Sequence, residues 1–291
     1  MLFHSSYTAL LTPFKDNQID IDAYRNLVDF QIKNGTHGLV PVGTTGESPT
    51  LSHDEHKKLV EVCIEQANGR VPVIAGAGSN STSEAVDFVK HACAAGADGL
   101  LVVTPYYNKP TQSGLLAHYN ELIKNSSKPI IIYDIPGRSV IKMSDNTMAE
   151  LAKNDLIVGV KDATADLARP TRLQNLIGDD FIQLSGEDGT ALAYLAAGGH
   201  GCISVTANIA PNLLSRMHNA WKQGDITNAQ EINKKLMPLH DSLFYETSPG
   251  PLKYAASLLG ICSPEARLPI VEIEEVSKKN VDNALKSAGL L

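Results

Sequence analysis

A lysine closes the apolar run Ile157-Val158-Gly159-Val160-Lys161, and a tyrosine closes the run before it, Pro129–Tyr133. An amine held among apolar neighbours is driven toward its neutral form, because low-dielectric walls disfavour the ammonium, and a neutral amine attacks carbonyl carbon. A phenol beside it can exchange protons at the carbon under attack. Period-two alternation puts Ile157, Gly159 and Lys161 on one face of their strand and Val158 and Val160 on the other, so Gly159 should leave space beneath the amine. The competing assignment is a structural lysine, paired with a carboxylate or snorkelling to a rim, beside a core tyrosine. A Tyr and a Lys ending consecutive strands favour imine chemistry, with the amine as nucleophile and the phenol as proton carrier.

Other polar groups gather after the same kind of run. Gly43-Thr44-Thr45-Gly46-Glu47-Ser48 offers two hydroxyls and glycine-exposed amides suited to a carboxylate, and a hydroxyl able to relay a proton from Tyr133; its alternative is a plain strand-to-helix turn. Arg138, in Tyr133–Arg138, supplies a bidentate fork for a second carboxylate, or is a solvated loop arginine. Thr104–Thr111, Ser185–Asp188 and Thr206–Asn208 follow further runs. No metal is expected: His53 and His56 sit three apart without an HExxH pattern, and His118, His200 and His240 are scattered. Cys63, Cys93, Cys202 and Cys262 form no CxxC pair and read as reduced, mostly buried thiols. No GxSxG elbow supports a serine nucleophile. GxGxxG and GxxxxGK[ST] are absent and Gly76–Ser81 is only a partial look-alike, which speaks against an open nucleotide-binding sheet; no cofactor is expected.

These groups need elements to hold them. Eight strand-length apolar runs recur: Tyr7–Leu11, Gly38–Val42, Pro72–Ala75, Gly99–Val103, Pro129–Tyr133, Ile157–Lys161, Phe181–Leu184 and Cys202–Val205. Between them lie helix-like segments such as Asp20–Asn34, Ser52–Asn68, Ser81–Ala95 and Gln112–Asn125, and both Ser52–Glu55 and Ser81–Glu84 match the capping box. Eight strand–helix units suit a closed parallel barrel better than a doubly wound sheet, which usually has fewer strands and a glycine-rich nucleotide turn. The expected fold is therefore α/β, a (β/α)8 TIM barrel over residues 1–224. Residues 225–291, helical in pattern and punctuated by Pro238, Pro249, Pro251, Pro264 and Pro269, are expected as a C-terminal helical extension. In such barrels chemistry sits at the C-terminal strand ends, where these motifs fall.

Composition narrows the partners. A chain of 291 residues with 43% hydrophobic content can bury a large core. A formal net charge of -7 leaves no basic face for nucleic acid, and no apolar run reaches membrane-spanning length. With no signal-peptide pattern at the N-terminus, the expected location is cytoplasmic and the expected partners are small molecules.

VGTTGES, TPYYNKPT, YDIPGRS, GVKDAT, LSGEDGTAL and GGHGCISVTAN together resemble the dihydrodipicolinate synthase family over essentially the whole chain. The resemblance implies a lyase of the imine-forming class I aldolase type, condensing pyruvate with L-aspartate-4-semialdehyde in lysine (diaminopimelate) biosynthesis. By that resemblance Lys161 would form the imine, and Tyr133, Thr44 and Tyr107 would relay protons. Thr45 would hold the pyruvate carboxylate, Arg138 would meet the semialdehyde's carboxylate, and Gly186 and the backbone of Ile203 would line the pocket. Asp134 departs from the family's more usual Asn, which bears on the tuning of the site. The resemblance also implies a homotetramer built as a dimer of dimers, with Tyr107 reaching into a neighbour's site. Ser48, Pro49, His53, His56, Asn80, Glu84 and Tyr106 resemble the allosteric L-lysine pocket of the inhibited members; taken alone they read as capped helix starts and solvated histidines. An N-acetylneuraminate lyase or another 2-keto-acid aldolase would share GTTGE, the Tyr and the Lys, but Arg138 and PYYNKPT favour the synthase. A non-catalytic keto-acid sensor would have no need of Lys161, Tyr133 and Thr44 as a set.

Overall fold

The computed structural model describes residues 3–291. Its main sheet contains β1 (Ser5–Ala9), β2 (Gly38–Val40), β3 (Ile74–Gly76), β4 (Gly99–Val103), β5 (Ile130–Asp134), β6 (Ile157–Asp162), β7 (Ile182–Ser185) and β8 (Gly201–Ser204). Helices α1 (Ile21–Lys33), α2 (His53–Ala67), α3 (Thr82–Ala95), α4 (Gln112–Asn125), α5 (Pro136–Ser139), α6 (Asp145–Leu151), α7 (Arg169–Ile177), α8 (Ala191–Ala196) and α9 (Pro211–Lys222) intervene or follow. Three more, α10 (Ile226–Ser242), α11 (Gly250–Leu258) and α12 (Glu275–Ser287), make the expected C-terminal helices. The strand order is β2-β1-β8-β7-β6-β5-β4-β3, a cyclic permutation of the chain order. A doubly wound sheet would reverse direction at a switch point; unbroken cyclic order is that of a (β/α)8 barrel.

Two compact units make up the described chain, one built on Pro72–Ile203 and the other on Ser5–Val71 with Ser204–Leu291. In the first, Leu100, Val102, Ile130, Ile131, Ile132 and Val160 are buried, as befits parallel strands covered on both faces. In the second, the Asn208 side chain closes β1. It accepts from the Leu11 N–H at 3.0 Å and donates to the Ala9 carbonyl at 2.7 Å, so the ladder ends at Ala9 and not at Leu11. β2 likewise stops at Val40, because Pro41 has no N–H to give and Val42 turns left-handed at φ 50°. A small hairpin, Phe14–Lys15 with Gln18–Ile19, was not legible as two-residue strands. Asp16 and Asn17 form its turn with φ 52° and 60°, the conformation that favours Asp and Asn.

The capping boxes divide. Ser52 accepts from the Glu55 N–H and Glu55 accepts from the Ser52 N–H, as expected. Ser81 makes no such bond: its hydroxyl pairs with Ser83 at 3.0 Å, and the Glu84 carboxylate instead takes the hydroxyl of Ser79. The Ser81 N–H donates to that same Ser79 hydroxyl, at 3.0 Å, so Ser79 stands between the cap amide and the carboxylate. Among the described residues no helix is long and apolar enough to cross a membrane.

Candidate active site

β5 and β6 run parallel in a register that pairs Tyr133 with Lys161, so the two side chains stand on one face. Past the Ile130–Ile157 pair β6 carries an extra residue, Val158, and the rows become Ile131–Gly159, Ile132–Val160, Tyr133–Lys161 and Asp134–Asp162. The room expected at Gly159 does not exist. A Cβ there would meet the Ile182 carbonyl oxygen at 2.3 Å, so this glycine admits β7 rather than making space under the amine.

Lys161 and Tyr133 are each 5% exposed, and the Lys161 Nζ lies 4.1 Å from the centre of the Tyr133 ring. Among the described residues Lys161 has neither an ion pair nor a hydrogen bond, which removes the carboxylate-paired structural alternative. Lys253 shows what a structural buried lysine looks like here. It is 0% exposed, paired with Glu47, donates to the Glu265 carbonyl at 2.7 Å and lies 4.2 Å from the Phe14 ring centre. Burying an amine without such partners is costly, and strain of that kind concentrates where chemistry uses it.

One row beyond, Asp134 and Asp162 share a cation. Arg169, wholly buried at the start of α7, donates through Nη1 to Asp134 Oδ2 at 2.7 Å and stands 3.5 Å from Asp162 Oδ1. Its Nε reaches Asp145 at 2.9 Å and its Nη2 the Met143 carbonyl at 2.8 Å. Burial pushes the Asp134 carboxyl above its ordinary range despite Arg169. Burial alone would lower Arg169, but Asp162 and Asp134 outweigh it and hold the guanidinium above its ordinary value. Asp134 is thus the anionic partner of a buried arginine, a role at this position that an Asn would fill with a dipole.

Gly186 follows β7. A Cβ on it would come within 2.8 Å of the Ala163 Cβ and 3.3 Å of the Lys161 Cε, and its N–H donates to the Asp162 carbonyl at 2.7 Å. Only a glycine lets this backbone lie so close to the lysine. Ile203 is buried in β8, next to Cys202, whose thiol is pushed well up by burial and then by Asp188, with Lys161 opposing. All four cysteines are free, Cys63 and Cys202 buried, Cys93 and Cys262 half-buried. Arg138 is exposed on α5, immediately past β5. Tyr107 is 88% exposed with a left-handed φ of 71°, while Tyr106 is half-buried.

Thr44 and Thr45 belong to the second unit, in the turn that follows β2, Thr45 buried and Thr44 half-buried. Two non-glycine residues in the left-handed region bracket that turn, Val42 at φ 50° and Glu47 at φ 57°. A β-branched residue there is an outlier, and such conformations persist where the surroundings over-determine them. Gly46 and Glu47 N–H groups donate to the Gly43 and Thr44 carbonyls at 3.1 Å, and the Thr12 hydroxyl to the Gly46 carbonyl at 2.7 Å.

The second polar set is divided in the same way. Asn80, Glu84 and Tyr106 are half-buried in the first unit, where the Asn108 side chain donates to the Asn80 carbonyl at 2.8 Å. In the second unit Ser48 and Pro49 open a 3-10 turn, His53 is exposed, and His56 is buried rather than solvated. Sequence reasoning missed the parts played by Asp162, Arg169, Glu47, Lys253 and Arg267. The repeated ending Tyr-Asp and Lys-Asp was a visible signal for the two carboxylates; nothing in the local pattern marks Arg169 or Lys253 as buried.

The profile of the Dihydrodipicolinate synthetase family matches residues 2–288. A 4-hydroxy-tetrahydrodipicolinate synthase from Rhodospirillum centenum is 58% identical over 290 residues, covering 100% of both chains. The structure of a chloride-inhibited dihydrodipicolinate synthase from Acinetobacter baumannii in complex with pyruvate is similar with a TM-score of 0.96 at 40% identity, covering 100% of each chain. That of the Cyanidioschyzon merolae enzyme with lysine bound is similar with a TM-score of 0.96 at 36% identity, covering 99% of each.

Proposed function

Because the chain belongs to the dihydrodipicolinate synthetase family, we propose that Lys161 is the imine-forming residue of a 4-hydroxy-tetrahydrodipicolinate synthase, a lyase of lysine biosynthesis. The enzyme condenses pyruvate with L-aspartate-4-semialdehyde. The observation that carries the assignment of Lys161 is a buried amine with no ion pair or hydrogen bond among the described residues, lying over the ring of its register partner Tyr133.

The Lys161 amine adds to the keto carbon of pyruvate, and loss of water gives the imine. Removal of a methyl proton turns the imine into an enamine, whose carbon attacks the semialdehyde's aldehyde; the resulting alkoxide takes a proton. The semialdehyde's own amine then adds to the imine carbon and displaces Lys161, closing the ring and regenerating the enzyme. Tyr133, with Thr44 and Tyr107, carries the protons in this scheme. Thr45 holds the pyruvate carboxylate, Arg138 engages the semialdehyde's carboxylate, and Gly186 and the Ile203 backbone line the pocket. We assign the catalytic barrel to residues 1–224 and a helical extension to residues 225–291. We further propose a cytoplasmic homotetramer, a dimer of dimers; the exposed Tyr107, in a left-handed conformation, suits a residue offered to a neighbouring subunit.

With pyruvate held constant, aspartate semialdehyde should be consumed at least about a hundredfold faster than N-acetylmannosamine, followed by loss of each aldehyde, since a site built to pair a carboxylate discriminates strongly against a partner lacking it. The reverse preference would assign the chain to the neuraminate lyases. L-lysine should inhibit through Ser48, Pro49, His53, His56, Asn80, Glu84 and Tyr106. Saturating lysine should lower turnover severalfold without simple competition against pyruvate, and Glu84→Ala should remove the inhibition while sparing catalysis. Full turnover in saturating lysine would end the regulatory assignment, and inhibition surviving Glu84→Ala would move the site.

A further inference from the structure

We propose that Glu47, held by Lys253 and by the backbone of Arg267, is the positioning residue for the Thr44–Thr45 turn, so that the C-terminal helical segment governs how the enzyme holds pyruvate's carboxylate. The inference rests on the assignment of Thr44 and Thr45 to the substrate site.

Glu47 stands at the junction where the turn becomes the 3-10 helix Ser48–Thr50, in a left-handed conformation that a non-glycine residue adopts only when held there. Backbone bonds hold part of it: its N–H donates to the Thr44 carbonyl at 3.1 Å and its carbonyl accepts from the Thr50 N–H at 3.0 Å. The buried carboxylate supplies the rest. One oxygen accepts from the Arg267 backbone N–H at 3.0 Å and the other pairs with the Lys253 ammonium. Lys253, on α11, is itself pinned by the Glu265 carbonyl and the Phe14 ring. Arg267, in the segment between α11 and α12, places its guanidinium 4.4 Å from the Phe14 ring centre. That guanidinium also binds both Glu55 oxygens, at 2.7 and 2.6 Å, and the Thr50 carbonyl at 3.0 Å.

Both ends of the short helix after the turn are therefore tied to residues more than 200 positions further along the chain. A hydrophobic anchor would have sufficed for stability alone, since a buried ion pair rarely outperforms apolar side chains of the same volume. What the charged clamp adds is direction: a carboxylate held by one backbone N–H and one buried ammonium is fixed from both oxygens, and the two threonines lie within three residues of it. A backbone displaced by an ångström in a substrate-binding turn costs far more in binding and turnover than in folding.

The test uses the full-length enzyme with Lys253→Met, Glu47→Gln and the two combined. Steady-state kinetics in pyruvate are measured together with borohydride trapping, read by intact mass. Lys253→Met should raise the pyruvate KM about tenfold or more, while saturating pyruvate still brings the trapped adduct on Lys161 to the wild-type level. Glu47→Gln keeps the shape and the bond from Arg267, and should raise KM in the same direction by less. In the double variant the effects should not add, because Lys253 acts through Glu47. A merely structural clamp would lower the active fraction and the unfolding midpoint and leave KM alone. Pyruvate KM values within twofold of wild type in folded variants would overturn the proposal; should Lys253→Met fail to fold, Glu47→Gln decides by the same criterion. A wild-type enzyme that yields no adduct on Lys161 would instead overturn the function. If wild type is trapped and Thr45→Ala raises KM while Glu47→Gln does not, only the positioning role falls.

Discussion

Lys161→Ala should abolish the borohydride-trapped pyruvate adduct and lower kcat by about 10⁴-fold or more, the scale on which loss of a covalent nucleophile is felt. Wild-type enzyme should gain one reduced pyruvate, and peptide mapping should place it on Lys161. The expectation follows from the contrast between the two deeply buried lysines among the described residues. Lys253 has its protons committed to Glu47 and the Glu265 carbonyl, and its amine is unavailable for attack. Among the described residues Lys161 has only the π face of Tyr133, with no hydrogen-bond acceptor holding its amine. Lys161→Arg would place a guanidinium over that ring and should be as inactive as the alanine variant, since a guanidinium is too weak a nucleophile to form the imine. An adduct on another lysine, or none in the wild type, would refute the mechanism.

Arg169→Met should destabilise the protein by about 3–5 kcal/mol, measured by denaturant unfolding, because it leaves the buried Asp134 and Asp162 facing each other without their cation. Asp134→Asn should cost far less, since the Asn oxygen can still accept from the guanidinium and no buried charge is stranded. The two variants should also differ in pH dependence. In the folded protein the Asp134 carboxyl lies above its ordinary value of 3.8, chiefly through burial, so the folded state holds that proton more tightly than the unfolded chain. Its contribution is therefore favourable below about pH 3.8 and is lost as pH rises through the folded-state value. Asp134→Asn removes that slope. Equal stability of Arg169→Met and wild type would show that the cation does not hold the ends of β5 and β6 together.

The site was legible to different depths at different positions. Lys161, Tyr133 and the threonine turn each end or follow a strand-length apolar run, and a parallel strand buried on both faces writes that run into the sequence directly. The eight runs predicted eight strands whose limits shifted by at most a few residues, and two of the shifts trace to Pro41 after β2 and to the Asn208 side chain closing β1. Gly159 was misread because alternation describes one strand at a time. Which neighbour fills the space over a glycine depends on the adjacent strand, and Ile182 fills it here. The Ser81 capping box failed for a related reason: the motif was present, but Ser79 competed for Glu84.

The fold class, the strands that carry Tyr133 and Lys161 next to their C-terminal ends, and the chemistry open to an amine and a phenol there can all be read from the chain alone, because periodicity and strand-end position are local properties. Three-dimensional packing was needed to show that Lys161 has no carboxylate partner among the described residues while Lys253 does, that Arg169 joins the residues following Tyr133 and Lys161, and that Glu47 is held from the C-terminal segment. Partners of a buried charge are chosen by three-dimensional approach across tens to hundreds of residues, and nothing in the local pattern of a lysine or an arginine records which carboxylate it will meet.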